Sequence, residues 1–202
     1  MPARSRSKGR CPRCEIHILR CFCDQIPLLN LETKVIILMH VRERTLITNS
    51  ARLAILALRN SDLRLRGDPK NPMSTEGLVP NQGQALFLYP EKGAQELTPD
   101  YVASLPKPIH LIVPDGNWKQ ASKVGRRVLE LASIPRVTLP PGGASEYMLR
   151  KAPQAHMVST FEAIARALGI IEGPQVQQTL EKIFRLKVER TLQSRGTRPT
   201  PH

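Results

Sequence analysis

Three short apolar runs constrain this chain more than anything else in it: KVIILMH at 34–40, ALFLYP at 85–90 and IHLIV at 109–113. Each is nearly continuous rather than alternating, the pattern of a strand covered on both faces. RVTLP at 136–140 is a weaker fourth. Helical patterns stand between the runs. TNSARLAILALRN at 48–60 opens on Thr48, Asn49 and Ser50 as capping candidates. STFEAIARALG at 159–169 sets Ser159 and Glu162 at capping-box spacing, with Gly169 at its end. This order predicts an α/β domain with a mostly parallel sheet flanked by helices, whose ligands bind at the carboxyl ends of the strands. The stretch 61–84, punctuated by Gly67, Pro69, Pro72, Gly77, Pro80 and Gly83, reads as a long surface loop covering that site.

The four cysteines, Cys11, Cys14, Cys21 and Cys23, all fall within CPRCEIHILRCFC. Such clustering in a chain expected to stay in the cytosol points to metal rather than disulfides, because four thiolates complete the tetrahedral shell of structural zinc. A closed shell leaves no open position, so the ion would be structural. His17 is an alternative ligand or a surface residue. The organisation expected is a basic arm at 1–10, a zinc knuckle at 11–30, a catalytic domain at 31–194 and a flexible tail at 195–202.

Charge narrows the class of partner. The chain carries 30 Lys+Arg against 17 Asp+Glu, a net charge of +13, and so attracts a polyanion. Aromatic residues are only 4%, which disfavours extensive single-strand stacking and suits folded RNA held by its phosphates. No run of roughly 18 apolar residues could span a bilayer, and the basic N-terminus lacks the apolar segment of a signal peptide. A cytoplasmic location without membrane contact is the expectation.

PDGNWKQASK at 114–123 follows the third apolar run directly. Asp115 reads either as a carboxylate presented at a strand end or as the N-cap of the following helix. Gly116 permits a close backbone approach or an unusual turn. On one helix, Trp118, Ala121, Val124, Val128 and Leu131 would form an apolar stripe, and Lys119, Lys123, Arg126 and Arg127 a basic one facing solvent or phosphates. Trp118 reads as core anchor or stacking surface. There is no G-x-G-x-x-G, P-loop, H-E-x-x-H or G-x-S-x-G motif, which removes support for triphosphate and serine-hydrolase chemistry.

In their order, the cysteine segment, LITNSARL (46–53), ALFLYP, PDGNWKQASK, ASEYMLRKAP (144–153) and STFEAIARAL (159–168) resemble the DTW-domain family. The resemblance implies a SPOUT-like fold with a C-terminal trefoil knot. It implies transfer of the 3-amino-3-carboxypropyl group of S-adenosylmethionine to N3 of a uridine in tRNA, with rRNA as the alternative RNA. A SPOUT-like RNA methyltransferase and a non-catalytic zinc-containing RNA-binding or assembly factor are the rival readings.

By the same resemblance Asp115 is the catalytic carboxylate. Phe87, Leu88, Tyr89, Pro90, Val113, Pro114, Asp115, Gly116, Asn117, Trp118, Ser159, Thr160 and Glu162 look like the walls for S-adenosylmethionine, with backbone N–H groups at the Ser159 helix start as a place for its carboxylate. Asn49, Ser50, Ser145, Tyr147 and Arg150 look like further contacts, beside the basic stripe of Lys119, Lys123, Arg126 and Arg127. One departure stands out: Asn117 occupies the position where the family motif has Thr.

Overall fold

The computed structural model describes residues 9–149 and 157–195. The expected apolar runs become β1 (Lys34–His40), β3 (Gln84–Leu88) and β5 (Ile109–Asp115). β2 (Ser61–Arg66), β4 (Gln95–Glu96) and β6 (Arg136–Thr138) complete a sheet of order β2-β1-β5-β3-β6-β4, in which every pairing is parallel. The helices are α1 (Arg52–Ala57), α2 (Pro99–Ala103), α3 (Trp118–Ala121), α4 (Val124–Arg127), α5 (Thr160–Ile171) and α6 (Pro174–Ser194).

Burial explains the unalternating runs. Val35, Ile37 and Met39 of β1 face one core with Leu111 and Val113 of β5 and with α1, α5 and α6. Ile36 and Leu38 face the other with Phe87, Ile112, Val124, Leu131 and Ile134. Both faces are covered, so both parities of the strand must be apolar. Ile16 and Phe22 of the cysteine segment belong to the first core, and Leu29 joins the sheet side through backbone bonds to Ala57 and Arg59. The knuckle is thus packed onto the α/β body.

Several expectations need correction. Residues 61–66 are an edge strand, not part of a loop: Leu63 and Leu65 pack on the core while Asp62, Arg64 and Arg66 alternate with them. The helix expected at 48–60 shrinks to α1, because Leu58 turns extended so that the neighbouring backbone can pair with Leu29 before entering β2. The single helix after Trp118 is broken into α3, α4 and a 3-10 turn at Leu129–Leu131. Gly125 there accepts Arg136 Nη2 at 2.9 Å, and Val128 is extended (φ −100°, ψ 103°). Gly169 does not end α5: it lies inside, where a Cβ would come within 2.2 Å of Gln177 of α6.

α6 was not foreseen, although Leu180, Ile183, Phe184 and Val188 mark its buried face at helical spacing. The path between Leu149 and Met157 lies outside the described residues, and with it the implied trefoil knot. Among the described residues no helix is long and apolar enough to cross a membrane.

Candidate active site

Two polar clusters are built into this frame. In the first, the Cys11–Cys14 turn is closed by Cys11 N–H on Ile16 O and Glu15 N–H on Cys11 O, with Glu15 at a positive φ of 62°. Cys21 and Cys23 return the thiols from the other side, while Phe22 between them turns into the core. The Sγ–Sγ separations are 3.6 Å for Cys11–Cys23 and 3.8 Å for Cys14–Cys21, and all four sulfurs lie within 4.8 Å of one another. Four thiolates around a zinc ion at ~2.3 Å stand about 3.8 Å apart, whereas a disulfide needs about 2.05 Å. The donor set therefore fits structural zinc. His17 does not join it: its Nδ1 accepts the Leu19 N–H, and its ring lies over Gly9.

The second cluster floors a cavity of about 460 Å³ at the carboxyl ends of β3 and β5. That is where an open parallel sheet places ligands, at the carboxyl ends of its strands, and the volume suits a small organic molecule. Asp115 ends β5 and is only 4% exposed. Its Oδ2 accepts Asn49 Nδ2 at 2.6 Å, and its Oδ1 accepts Thr160 Oγ1 at 2.6 Å. Two short bonds from neutral donors hold the carboxylate in one orientation.

Asn49 is itself determined. Its Oδ1 accepts the Arg52 N–H, which turns Nδ2 toward Asp115, and its main-chain carbonyl accepts Lys187 Nζ at 2.6 Å. Burial pulls Lys187 down to about 8, with repulsion from Arg52 and against attraction from Glu15, Cys14 and Asp115. Arg66 ties the strand ends together, donating from Nε to Leu38 O and from Nη2 to the carbonyls of Asp115 and Gln120.

The capping role falls to Asn117 rather than Asp115. Asn117 Oδ1 accepts the Gln120 N–H and Gln120 Oε1 accepts the Asn117 N–H, both at 2.9 Å, a reciprocal capping box. A threonine hydroxyl is also a capping acceptor at such a position. Gly116 has φ 149°, and a Cβ there would lie 2.9 Å from Gln120 Oε1.

The cavity brings together most of the expected wall: Leu88, Tyr89, Pro90, Val113, Pro114, Gly116, Asn117, Ser159 and Thr160, with Asn49, Ser50, Lys119, Ser145 and Tyr147. Tyr147 OH donates to Thr48 O. Phe87 is elsewhere: it is buried on the opposite face of the sheet beneath the Arg136 guanidinium. Glu162 does not line the cavity either. It caps Ser159 and accepts Ser145 Oγ and Glu146 N–H, so both of its oxygens carry structural bonds.

The helix start is also less available for an anion than expected, since Ser50 Oγ takes the Phe161 N–H and Ser159 Oγ the Glu162 N–H. Lys123, Arg126 and Arg127 do not line the cavity, and Arg126 and Arg127 are exposed. Arg150 and the Trp118 side chain lie outside the described set. Sequence reasoning missed Thr48, Met157 and Val158 in the wall, Arg66 and Lys187 behind it. The period-2 alternation at 61–66 could have exposed Arg66; nothing local marks Lys187.

Comparison with known proteins adds a family. The DTW domain matches residues 8–192. tRNA-uridine aminocarboxypropyltransferase 2 of Drosophila melanogaster is 25% identical over 180 residues, covering 86% of this chain and 71% of that protein. tRNA-uridine aminocarboxypropyltransferase A of Arabidopsis thaliana is 30% identical over 224 aligned positions, covering 94% of this chain and 82% of that protein. Among solved structures, the SAM-dependent rRNA:acp-transferase Tsr3 from Vulcanisaeta distributa superposes with a TM-score of 0.49 at 18% identity, over 85% of either chain.

Proposed function

This chain belongs to the DTW-domain family, and on that premise we propose that it is a tRNA-uridine aminocarboxypropyltransferase. It transfers the 3-amino-3-carboxypropyl group of S-adenosylmethionine to N3 of a uridine. The observation that carries this reading is the buried Asp115, clamped by Asn49 and Thr160 on the floor of a cavity large enough for the donor.

Uridine N3 is a weak acid, so its attack is helped by a base that accepts or orients its proton. Asp115 is that base. The N3 lone pair forms a bond to the terminal carbon of the aminocarboxypropyl group, and the carbon–sulfur bond breaks. The bonding electrons return to the sulfonium, which leaves as neutral methylthioadenosine, and the proton from N3 passes to Asp115. Positive charge disappears from sulfur in the transition state, so positioning of the two reactants contributes more than oxyanion stabilisation. Which carbon of the sulfonium meets the nucleophile decides between this product and a methylated base.

The apolar strand ends Leu88 and Val113 with Pro90 and Pro114 offer a surface for the adenosine, and the polar groups of Ser50, Ser145 and Ser159 offer partners for the amino-acid end. Lys119 at the cavity and the exposed Arg126 and Arg127 suit the phosphates of tRNA in the cytoplasm. The test is incubation with S-adenosylmethionine and unmodified tRNA, followed by mass spectrometry of the nucleosides. Aminocarboxypropyluridine with methylthioadenosine is expected. S-adenosylhomocysteine with a methylated base would establish a methyltransferase instead, and no binding of the donor at millimolar concentration would leave a non-catalytic RNA-binding protein.

A further inference from the structure

Lys187 has no place in the chemistry above, yet it is one of the most conspicuous groups in the interior. It sits on the buried face of α6 between Phe184 and Val188, 5% exposed. A buried ammonium costs several kcal/mol unless it is paired, and an apolar side chain would fill the same space without that cost. A lysine here therefore calls for a specific acceptor. The acceptor is the main-chain carbonyl of Asn49, 2.6 Å from Nζ.

Asn49 is fastened at three points. Its carbonyl is held by Lys187, its Oδ1 by the Arg52 N–H, and its Nδ2 is delivered to Asp115 Oδ2. With the carbonyl and Oδ1 both fixed, the carboxamide has one orientation, and that orientation presents a donor to the carboxylate. Both anchors lead to the cysteine knuckle. Arg52 pairs with Glu15 at 2.7 Å, and Lys187 lines a narrow cleft with Arg13, Cys14, Glu15, Phe22 and Arg52. Four thiolates around one divalent cation keep a net negative charge, so a zinc-loaded knuckle supplies the countercharge that a buried ammonium needs.

We propose that Lys187 is a positioning residue for the Asp115 site: it bridges the cysteine knuckle to the Asn49 carbonyl and thereby sets the Asn49 carboxamide against the carboxylate. The consequence for activity rests on the aminocarboxypropyltransferase reading, whereas the bridge itself does not.

The test uses the zinc-loaded protein with Lys187→Met, Lys187→Arg and, as a control that thins the same helix face but leaves the Lys187 donor to the Asn49 carbonyl in place, Val188→Ala. Hydrogen exchange of the Asn49 side-chain amide, followed by NMR, should quicken by at least roughly tenfold in Lys187→Met and stay near the wild-type value in Val188→Ala. The Met variant should lose about tenfold in kcat with KM for S-adenosylmethionine within about twofold, and Lys187→Arg should recover most of the loss.

Unchanged exchange in Lys187→Met, or equal acceleration in Val188→Ala, overturns the proposal. If Lys187→Met does not fold, Lys187→Leu, which has no donor either, takes its place, and exchange matching the wild type there overturns it equally. Absence of transfer by the wild-type protein would defeat the functional reading alone, because the exchange measurement still judges the bridge.

Discussion

Cys11, Cys14, Cys21 and Cys23 come together within one short stretch, whereas Asp115, Asn49 and Thr160 are delivered from three distant ones. The first cluster is local: the Cys11–Cys14 turn and the Cys21–Cys23 return, with Phe22 between them held in the core, bring its thiols face to face. The second needs the sheet, since Asp115 rides the end of β5, Asn49 the segment before α1 and Thr160 the first turn of α5. A local cluster should therefore fail as a unit when its metal is lost. A composite cluster should fail one hydrogen bond at a time.

Breaking the knuckle is expected to give the largest effect. Cys14→Ser should lose the metal, whose apparent binding free energy in such modules is about 10–16 kcal/mol. Zinc analysis should fall well below stoichiometric, and the thermal transition should drop. Retention of metal and transition by Cys14→Ser would show that the four thiols are not one site. Next in size, Asp115→Ala should cost about 10²–10⁴ in kcat while zinc content and tRNA affinity stay near wild type. Activity surviving that change would transfer the base role to another group.

Thr160→Val sharpens the contrast by removing one donor from the carboxylate, with an expected loss of about 1.5–3 kcal/mol of stabilisation of its charged form. Steady-state kinetics should show it, and the metal should not respond. Replacing Arg126 and Arg127 by Gln should lower the salt dependence of RNA binding by a slope of about 0.7–0.9 for each phosphate no longer neutralised, with donor affinity unchanged. The smallest change is expected for Asn117→Thr, a swap of one capping residue for another that should move thermal stability by less than about 0.5 kcal/mol, against about 1 kcal/mol for Asn117→Ala.

The elements that could be read in advance were those with a strong local signature. β1, β3 and β5 carry nearly continuous apolar runs, and α5 announces itself with the Ser159–Glu162 box that the structure contains. Four charged or polar residues among six hid β2, because an edge strand is half-solvated and its apolar members, Leu63 and Leu65, are only two. The basic helix after Trp118 was over-read. Its apolar spacing is real, for Val124 and Leu131 are buried, but the guanidinium of Arg136 bonds the Gly125 carbonyl and the chain bends around it. Glu162 shows the opposite hazard, a residue of catalytic type at a ligand-facing helix start whose oxygens are taken by Ser145, Glu146 and Ser159.

Amino-acid order alone dictated the parallel α/β class, the thiol cluster and the prominence of Asp115 at a strand end. All three depend on spacing along the chain or on the covering of both faces of a strand. The fold decided the rest. It assigned the cap to Asn117 and left Asp115 to Asn49 and Thr160, it turned Phe87 away from the cavity, and it brought Lys187 to the Asn49 carbonyl. Those outcomes depend on which of two or three competing partners lies within about 3 Å, the reach of a hydrogen bond. No pattern along the chain specifies a distance between residues 138 positions apart.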